Sequence, residues 1–183
     1  MRSSLHTVMV VLCLVALGSC AQSTDKPLLS PWTEQSDFGY RERDLGPSRV
    51  EVTYKTPFER TSLDPKQREP SVQRVRELAN DLAQWRAAEI AQRRGYMAFT
   101  VTNPRFVPHV DEYSQTMPPR YGLAIPGSGV RYIQSPGLDV RGAWVSGEST
   151  IDIELKHVTD AGDFDAAATL QHLAEKYAGA GVR

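Results

Sequence analysis

The sequence has no apolar run long enough to cross a membrane. Its longest run, VMVVLCLVAL from Val8 to Leu17, has ten residues, whereas a spanning helix needs about 20. The chain turns polar at once in AQSTDKP, and no second apolar run follows. We therefore predict that the protein does not span a membrane.

An excess of charge of either sign is also missing. The 21 lysine and arginine residues balance 22 aspartate and glutamate residues, which gives a net charge of −1. Nucleic acids and acidic lipids both attract proteins that carry a basic face. The charge balance therefore argues against a nucleic-acid partner and against an acidic-lipid partner.

Familiar catalytic and metal-binding motifs are absent: the sequence contains no HExxH, GxSxG, EF-hand or GxxxxGK[ST] pattern. Weak metal candidates remain in two places. His109 lies beside Asp111, and His157 lies near Asp160, but neither pair has the further ligands that a metal site needs. A solvated loop and ordinary helix capping are the simpler interpretations. We predict no metal, no cofactor and a non-enzymatic protein.

The N-terminus has the pattern of a secretory signal. Arg2 is positively charged, the apolar run follows it, and small residues end the run. Two interpretations of this N-terminus are an ordinary cleaved signal peptide and an uncleaved apolar helix with a buried cysteine. The residues at the end of the run favour a third.

The end of the apolar run, Leu17-Gly18-Ser19-Cys20, resembles the lipobox of bacterial lipoprotein precursors. The resemblance implies that residues 1–19 are removed and that Cys20 carries acyl chains that tether the protein to a membrane. Cys13 would leave with the signal peptide, so that no disulfide forms in the mature chain. Ala21 after the cysteine, by resemblance to other lipoproteins, favours the periplasmic face of the outer membrane over the inner membrane.

The residues that follow the lipobox predict a tether and one domain. Residues 20–37 are polar, contain two prolines and lack any periodicity, which is typical of a flexible linker. Trp32 in this segment is ordinary for a linker, or it contacts the membrane surface or the domain. The folded part is expected over residues 38–179.

Periodicity predicts the first elements of that domain. Val50, Val52 and Tyr54 alternate with polar residues in RVEVTYK, as in a strand with one buried face. Residues 40–44 precede it across a turn-forming cluster, which predicts a hairpin. A helix is expected over residues 71–94, since prolines punctuate the chain before it and glycine follows it.

The second half predicts fewer regular elements. Residues 96–102 are expected to form a strand, and residues 103–137, rich in proline and glycine, to form a long loop with one or two short strands near 121–125 and 130–134. Alternation returns over residues 142–157, and Asp163 is expected to cap a short second helix. The predicted class is α+β: an antiparallel or mixed sheet of about four to five strands, packed by one long and one short helix.

Four short motifs of the domain resemble a family of small proteobacterial envelope lipoproteins that has no assigned activity. The matching residues are Gly39-Tyr40, Val52-Thr53-Tyr54, Arg86-Ala87-Ala88-Glu89 and Gly95-Tyr96. The resemblance covers residues 38–102, with a fainter match over 147–173, and implies no catalytic residue. We interpret Arg86 and Glu89 as a structural ion pair at a helix edge.

These patterns leave three functional hypotheses. The first is a lipid-anchored, non-enzymatic envelope protein that binds an envelope protein or the cell wall, or supports the envelope mechanically. The second is a small-ligand or lipid-binding module with its pocket between the sheet and the long helix. The third is a hydrolase that uses His109 or His157 with nearby carboxylates.

Overall fold

The computed structural model describes residues 26–118, 120–121, 134–135 and 137–180. It confirms the α+β class, with two described helices and a six-stranded antiparallel sheet where four to five strands were expected. The helices are α1 (Pro65–Arg93) and α2 (Ala166–Lys176). The strands are β1 (Gly39–Gly46), β2 (Arg49–Lys55), β3 (Glu59–Thr61), β4 (Ala98–Met117), β5 (Arg120–Tyr121), β6 (Gln134–Ser135), β7 (Leu138–Lys156) and β8 (Phe164–Asp165).

The long strand β7 lies at the centre of the sheet, whose order is β1-β2-β7-β4-β8. One edge of β7 pairs first with β3 and then with β2, and its other edge pairs with β4 along nearly its whole length. All of these pairings are antiparallel. Among the described strands, β5 and β6 pair with each other and with no other strand. The predicted hairpin is present as β1 and β2.

Strand alternation places apolar side chains on one face of the sheet. Val50 and Val52 of β2 lie opposite Ile153 and Ile151 of β7, and all four are buried. Cross-strand pairs of β-branched residues stabilise a sheet by packing against each other. This apolar face of the sheet forms one side of the hydrophobic core.

Helix α1 packs on this apolar face of the sheet. Its buried side chains include large residues such as Leu82 and Ile90 and a series of alanines. Burying a leucine or isoleucine fully contributes about 1.5–3 kcal/mol. The alanines, which have no bulky side chain, allow the helix axis to lie close to the strands; they are Ala79, Ala83, Ala87, Ala88 and Ala91.

The helix begins six residues earlier than predicted. The Asp64 side chain accepts a hydrogen bond from the Lys66 amide (2.9 Å), and Pro65 occupies the first helical position. The first four amides of a helix have no hydrogen-bond partner within it, so a proline at one of these positions loses no backbone hydrogen bond. Pro70 lies within the helix. Pro65 therefore marks the beginning of α1, and Pro70 does not interrupt the helix.

The largest difference from the sequence prediction is in residues 103–137, of which 103–117 belong to strand β4 and not to a loop. A bulge between Thr102 and Arg105 accommodates Asn103, whose φ is +51°, and Pro104. Beyond Phe99 no described strand pairs with the outer edge of β4. Prolines are tolerated on such an edge because their missing N–H is not needed for pairing.

The predicted tether, residues 20–37, differs from the structure over its described part. Residues 26–37 are packed on the domain, with Leu28 and Leu29 against the core. The Tyr54 hydroxyl donates to the Leu28 carbonyl (2.8 Å), and the Tyr40 amide donates to the Ser30 carbonyl (3.0 Å). We refer to residues 26–38 as the N-terminal segment; it lies along the outer side of β1.

The second helix is capped by Asp165, whose side chain accepts from the Ala168 amide (2.8 Å), and not by Asp163 as predicted. Phe164 and Asp165 first pair with Phe99 and Ala98 of β4, which places the helix start two residues later. Among the described residues, no helix is long and apolar enough to cross a membrane.

Candidate functional site

The two faces of the sheet differ in what covers them. Helix α1 packs on one face, and α2 packs against α1 and β8. The opposite face, which we name the open face, carries no described helix. Its side chains alternate with the core residues along each strand, and most are polar or charged, as expected for the solvated side of an antiparallel sheet.

A shallow depression of about 650 Å³ lies across the middle of the open face. At its centre, Glu51 accepts hydrogen bonds from Arg43 (2.9 Å) and from Arg105 (3.2 Å). The hydroxyls of Thr53 and Thr150 lie 3.0 Å apart beside this cluster. Three arginines and three glutamates line the depression, so its charges balance and it has no strong electrostatic preference for one ligand; they are Arg41, Arg43, Arg105, Glu42, Glu51 and Glu148.

A row of cations and aromatic rings runs from the outer edge of the open face toward the far end of the β4–β7 pair. The Arg41 guanidinium lies 3.8 Å from the centroid of the Trp32 ring, and Lys55 lies between Trp32 (5.2 Å) and Phe58 (5.4 Å). Such contacts are attractive because the ring face carries partial negative charge.

The row continues onto β7. Phe58 and Trp144 line one shallow depression together with Asp111, and the Arg60 guanidinium lies 5.3 Å from the Trp144 ring. Phe58 and Trp144 each remain 36% exposed. We name this surface the cation–aromatic row; its members are Trp32, Arg41, Lys55, Phe58, Arg60 and Trp144.

Arg86 and Glu89 form the ion pair that the sequence predicted, at 2.6 Å. Arg86 also binds Glu42 of β1 (2.6 Å) and stacks on the Tyr40 ring at 4.1 Å. Burial lowers the pKa of Arg86, but the bonds to the two carboxylates outweigh it and raise the pKa overall. The cluster links α1 to strand β1 at the edge of the sheet, on the side away from the open face.

The two histidine candidates do not form one site, because His109 lies in the middle of the β4–β7 pair and His157 lies beyond the end of β7. His109 pairs with Ser146 in β4, and its Nε2 lies 3.4 Å from a Glu148 carboxylate oxygen without the alignment of a hydrogen bond. Asp111 lies two residues further along the same face, beside Trp144. His157 follows β7, and its ring stacks on Tyr96 at 4.4 Å.

The acidic turn near His157 serves a structural contact. Asp163 accepts hydrogen bonds from Thr100 (2.6 Å) and Lys156 (2.9 Å), while Asp160 lies 3.8 Å from Lys156. The bonds from Thr100, from Lys156 and from the Asp160 amide lower the pKa of Asp163 to about 2. Among the described residues, no three His, Cys, Asp or Glu side chains come close enough together to hold a metal ion.

The space between the sheet and α1, where a ligand pocket was predicted, is filled by buried side chains in the described part of the chain. Tyr54, Leu82, Ile90 and Phe99 are each 0% exposed there. A small molecule at this position would have to displace them. The lipobox residues Leu17, Gly18, Ser19 and Cys20 lie outside the described residues.

Sequence reasoning missed the cation–aromatic row. Its six residues come from the N-terminal segment, β1, β2, the β2–β3 connection, β3 and β7, and no spacing along the chain connects them. The signal available was the polar side of each alternating strand together with the placement of Trp32.

Comparisons of the chain with family models, with curated proteins and with solved structures gave no match.

Proposed function

We propose that the protein is a lipid-anchored component of the bacterial envelope with a binding role and no catalytic one. Cleavage before Cys20 and acylation of that cysteine place it at the periplasmic face of a membrane, the outer one in preference to the inner because Ala21 follows. The observation that carries the proposal is the sequence LVALGSC at the end of a ten-residue apolar run.

The described domain supports a binding role through the cation–aromatic row. Its aromatic rings are partly exposed, and the cations stacked on them hold the rings in place without covering them. Exposed aromatic and arginine side chains that are already oriented lose little conformational entropy on contact with a partner. The partner is an envelope component, either a protein, the cell wall or the membrane itself, and not a nucleic acid.

Metabolic labelling with a palmitate analogue tests the anchor. We expect the wild-type protein to be labelled and processed, and Cys20→Ala to be unlabelled and to retain residues 1–19. Cys13→Ala is the matched control, because the proposal removes Cys13 with the signal peptide. It should be labelled as strongly as the wild type.

Two results would contradict the anchor. One is a wild-type protein that is cleaved but carries no label, and the other is a label that depends on Cys13. Separation of the inner and outer membranes of the same cells tests the localisation, with the outer membrane as the expected fraction.

A further inference from the structure

The short connection between Cys20 and the packed N-terminal segment limits how far the domain can lie from its anchor. Lys26 Nζ is already bound to the carbonyls of Pro31 and Phe38, both at 3.1 Å. Only six residue steps separate Lys26 from Cys20, and six fully extended residues span at most about 20 Å. An acylated Cys20 therefore keeps this edge of the domain close to the bilayer surface.

The N-terminal segment also determines which side of the sheet lies near the anchor. It passes around β1 from the core side, where Leu28 accepts the Tyr54 hydroxyl, to the open face, where Trp32 stacks on Arg41. Trp32 is twelve residues from Cys20 and is the first member of the cation–aromatic row. The row thus starts at the point where the chain comes from the anchor.

The chemistry of the row matches the interfacial region of an anionic bilayer. Tryptophan is enriched at the level of lipid headgroups, since its ring is apolar and its N–H is polar. Lysine and arginine contribute charge attraction, and each one near an anionic surface strengthens binding about fivefold. The row brings three cations beside two carboxylates, Asp111 and Glu148; Glu148 lies opposite Lys55 in the β2–β7 pair.

We propose that the cation–aromatic row docks on the anionic lipid surface to which the chain is anchored, so that the open face of the sheet faces the bilayer. This inference rests on the proposed acylation of Cys20. Acyl chains hold the protein at the membrane, and the row fixes its orientation there. Helix α1 then faces away from the membrane.

Tryptophan fluorescence in proteoliposomes tests this orientation. The full-length acylated protein is reconstituted into vesicles of phosphatidylglycerol and phosphatidylethanolamine, with and without bromine on the lipid acyl chains. Of the three tryptophans, Trp32 and Trp144 lie in the row and Trp85 is buried in the core. We expect bromine to remove about half of the emission, since interfacial rings contact the quencher and the buried ring does not.

The variant R41E/K55E/R60E keeps the anchor and reverses the charge of the row. We expect its quenching to fall at least about threefold, because like charges repel it from the anionic surface. The matched control is Arg76→Glu, an exposed arginine that stacks on Phe106 at 4.8 Å on the α1 side. This control should be quenched like the wild type, and circular dichroism checks that each variant is folded.

The outcomes separate the two proposals. If mass spectrometry finds no acyl chains on the protein, the anchor proposal fails. If the acyl chains are present but the emission is not quenched, or R41E/K55E/R60E is quenched as strongly as the wild type, the docking of the row is wrong. If the vesicles give no quenching and isolated cell wall retains the wild type but not R41E/K55E/R60E, the row binds a glycan and not a lipid surface.

Discussion

Arg86 joins helix α1 to strand β1 at the edge of the sheet. Its guanidinium binds Glu42 of β1 and Glu89 of its own helix, and only 12% of its side chain is exposed. Removing one member of a covered ion cluster leaves the other charges without compensation. Its role is therefore structural, as the sequence indicated.

Replacing Arg86 with methionine should lower the free energy of unfolding by about 2 kcal/mol, a value below that of fully buried pairs because Arg93 still reaches Glu42 (3.1 Å). Urea denaturation measures this change. The control is Arg94→Met, which breaks the more exposed pair with Asp44 and should cost less than about 1 kcal/mol. Equal losses in the two variants would show that burial of Arg86 contributes nothing.

Asp163 makes stability depend on pH in the acidic range. Its pKa is lowered to about 2 in the folded protein by the bonds from Thr100, Lys156 and the Asp160 amide, from an ordinary value of 3.8. Because the folded pKa is the lower one, the stabilisation is fully present above pH 4 and is lost as the pH falls toward 2. Asp163→Asn should be less stable than the wild type at pH 7, and the difference should shrink between pH 4 and pH 2.

Denaturation at a series of pH values measures that difference. Asp160→Asn is the matched control, since its side chain is 71% exposed and lies 3.8 Å from the same lysine. The difference in stability between Asp160→Asn and the wild type should not shrink in the same way as the pH falls. A constant gap between Asp163→Asn and the wild type from pH 7 to pH 2 would refute the assignment.

At the scale of the element, the N-terminal segment depends on one glycine. Gly39 has a φ of +127°, and a Cβ at this position would lie 2.4 Å from the Ser30 carbonyl oxygen. An L-residue cannot adopt this backbone without strain, and the segment occupies the space that its side chain needs. Gly39 therefore permits the close packing of residues 26–38 on β1.

Gly39→Ala should destabilise the protein by about 1–3 kcal/mol and release the N-terminal segment. Hydrogen exchange measures the release at the Trp32 amide, which is bonded to the Tyr40 carbonyl (2.8 Å). Gly95→Ala is the control, because Gly95 also has positive φ but its Cβ would meet nothing within 4 Å. Protection of the Trp32 amide should fall in Gly39→Ala and persist in Gly95→Ala; equal protection in both would contradict this role of Gly39.

Elements with a clear period could be predicted from the sequence, and those punctuated by proline could not. The alternation of β2 gave that strand at its observed bounds, and Gly95 gave the C-terminal end of α1 within one residue. The errors at Pro65 and Pro104 have one cause: each proline was taken as a break in structure. Each lies where no backbone N–H is needed, at the first helical position or in a bulge of an edge strand.

At the scale of the whole molecule, the candidate site was the least predictable part. The net charge of −1 argued against an acidic-lipid surface, but a total says nothing about how charge is distributed. Arg43 and Arg105 both bind Glu51, while Arg41, Lys55 and Arg60 stack on rings at one side of the open face. The β1–β2 hairpin brings Arg41 and Lys55 together, and the pairing of β3 with the distant strand β7 places Arg60 beside Trp144.

The central position of β7 affects the order in which the chain can fold. The three strands that pair with it, β2, β3 and β4, are synthesised before it, and contacts such as that between Thr53 and Thr150 join residues 97 positions apart. Contacts across so long a separation form slowly because a large loop must first close. Until β7 has been synthesised, the inner edges of β2 and β4 stay unpaired and open to other chains, so the chain is most exposed to wrong pairing in that interval.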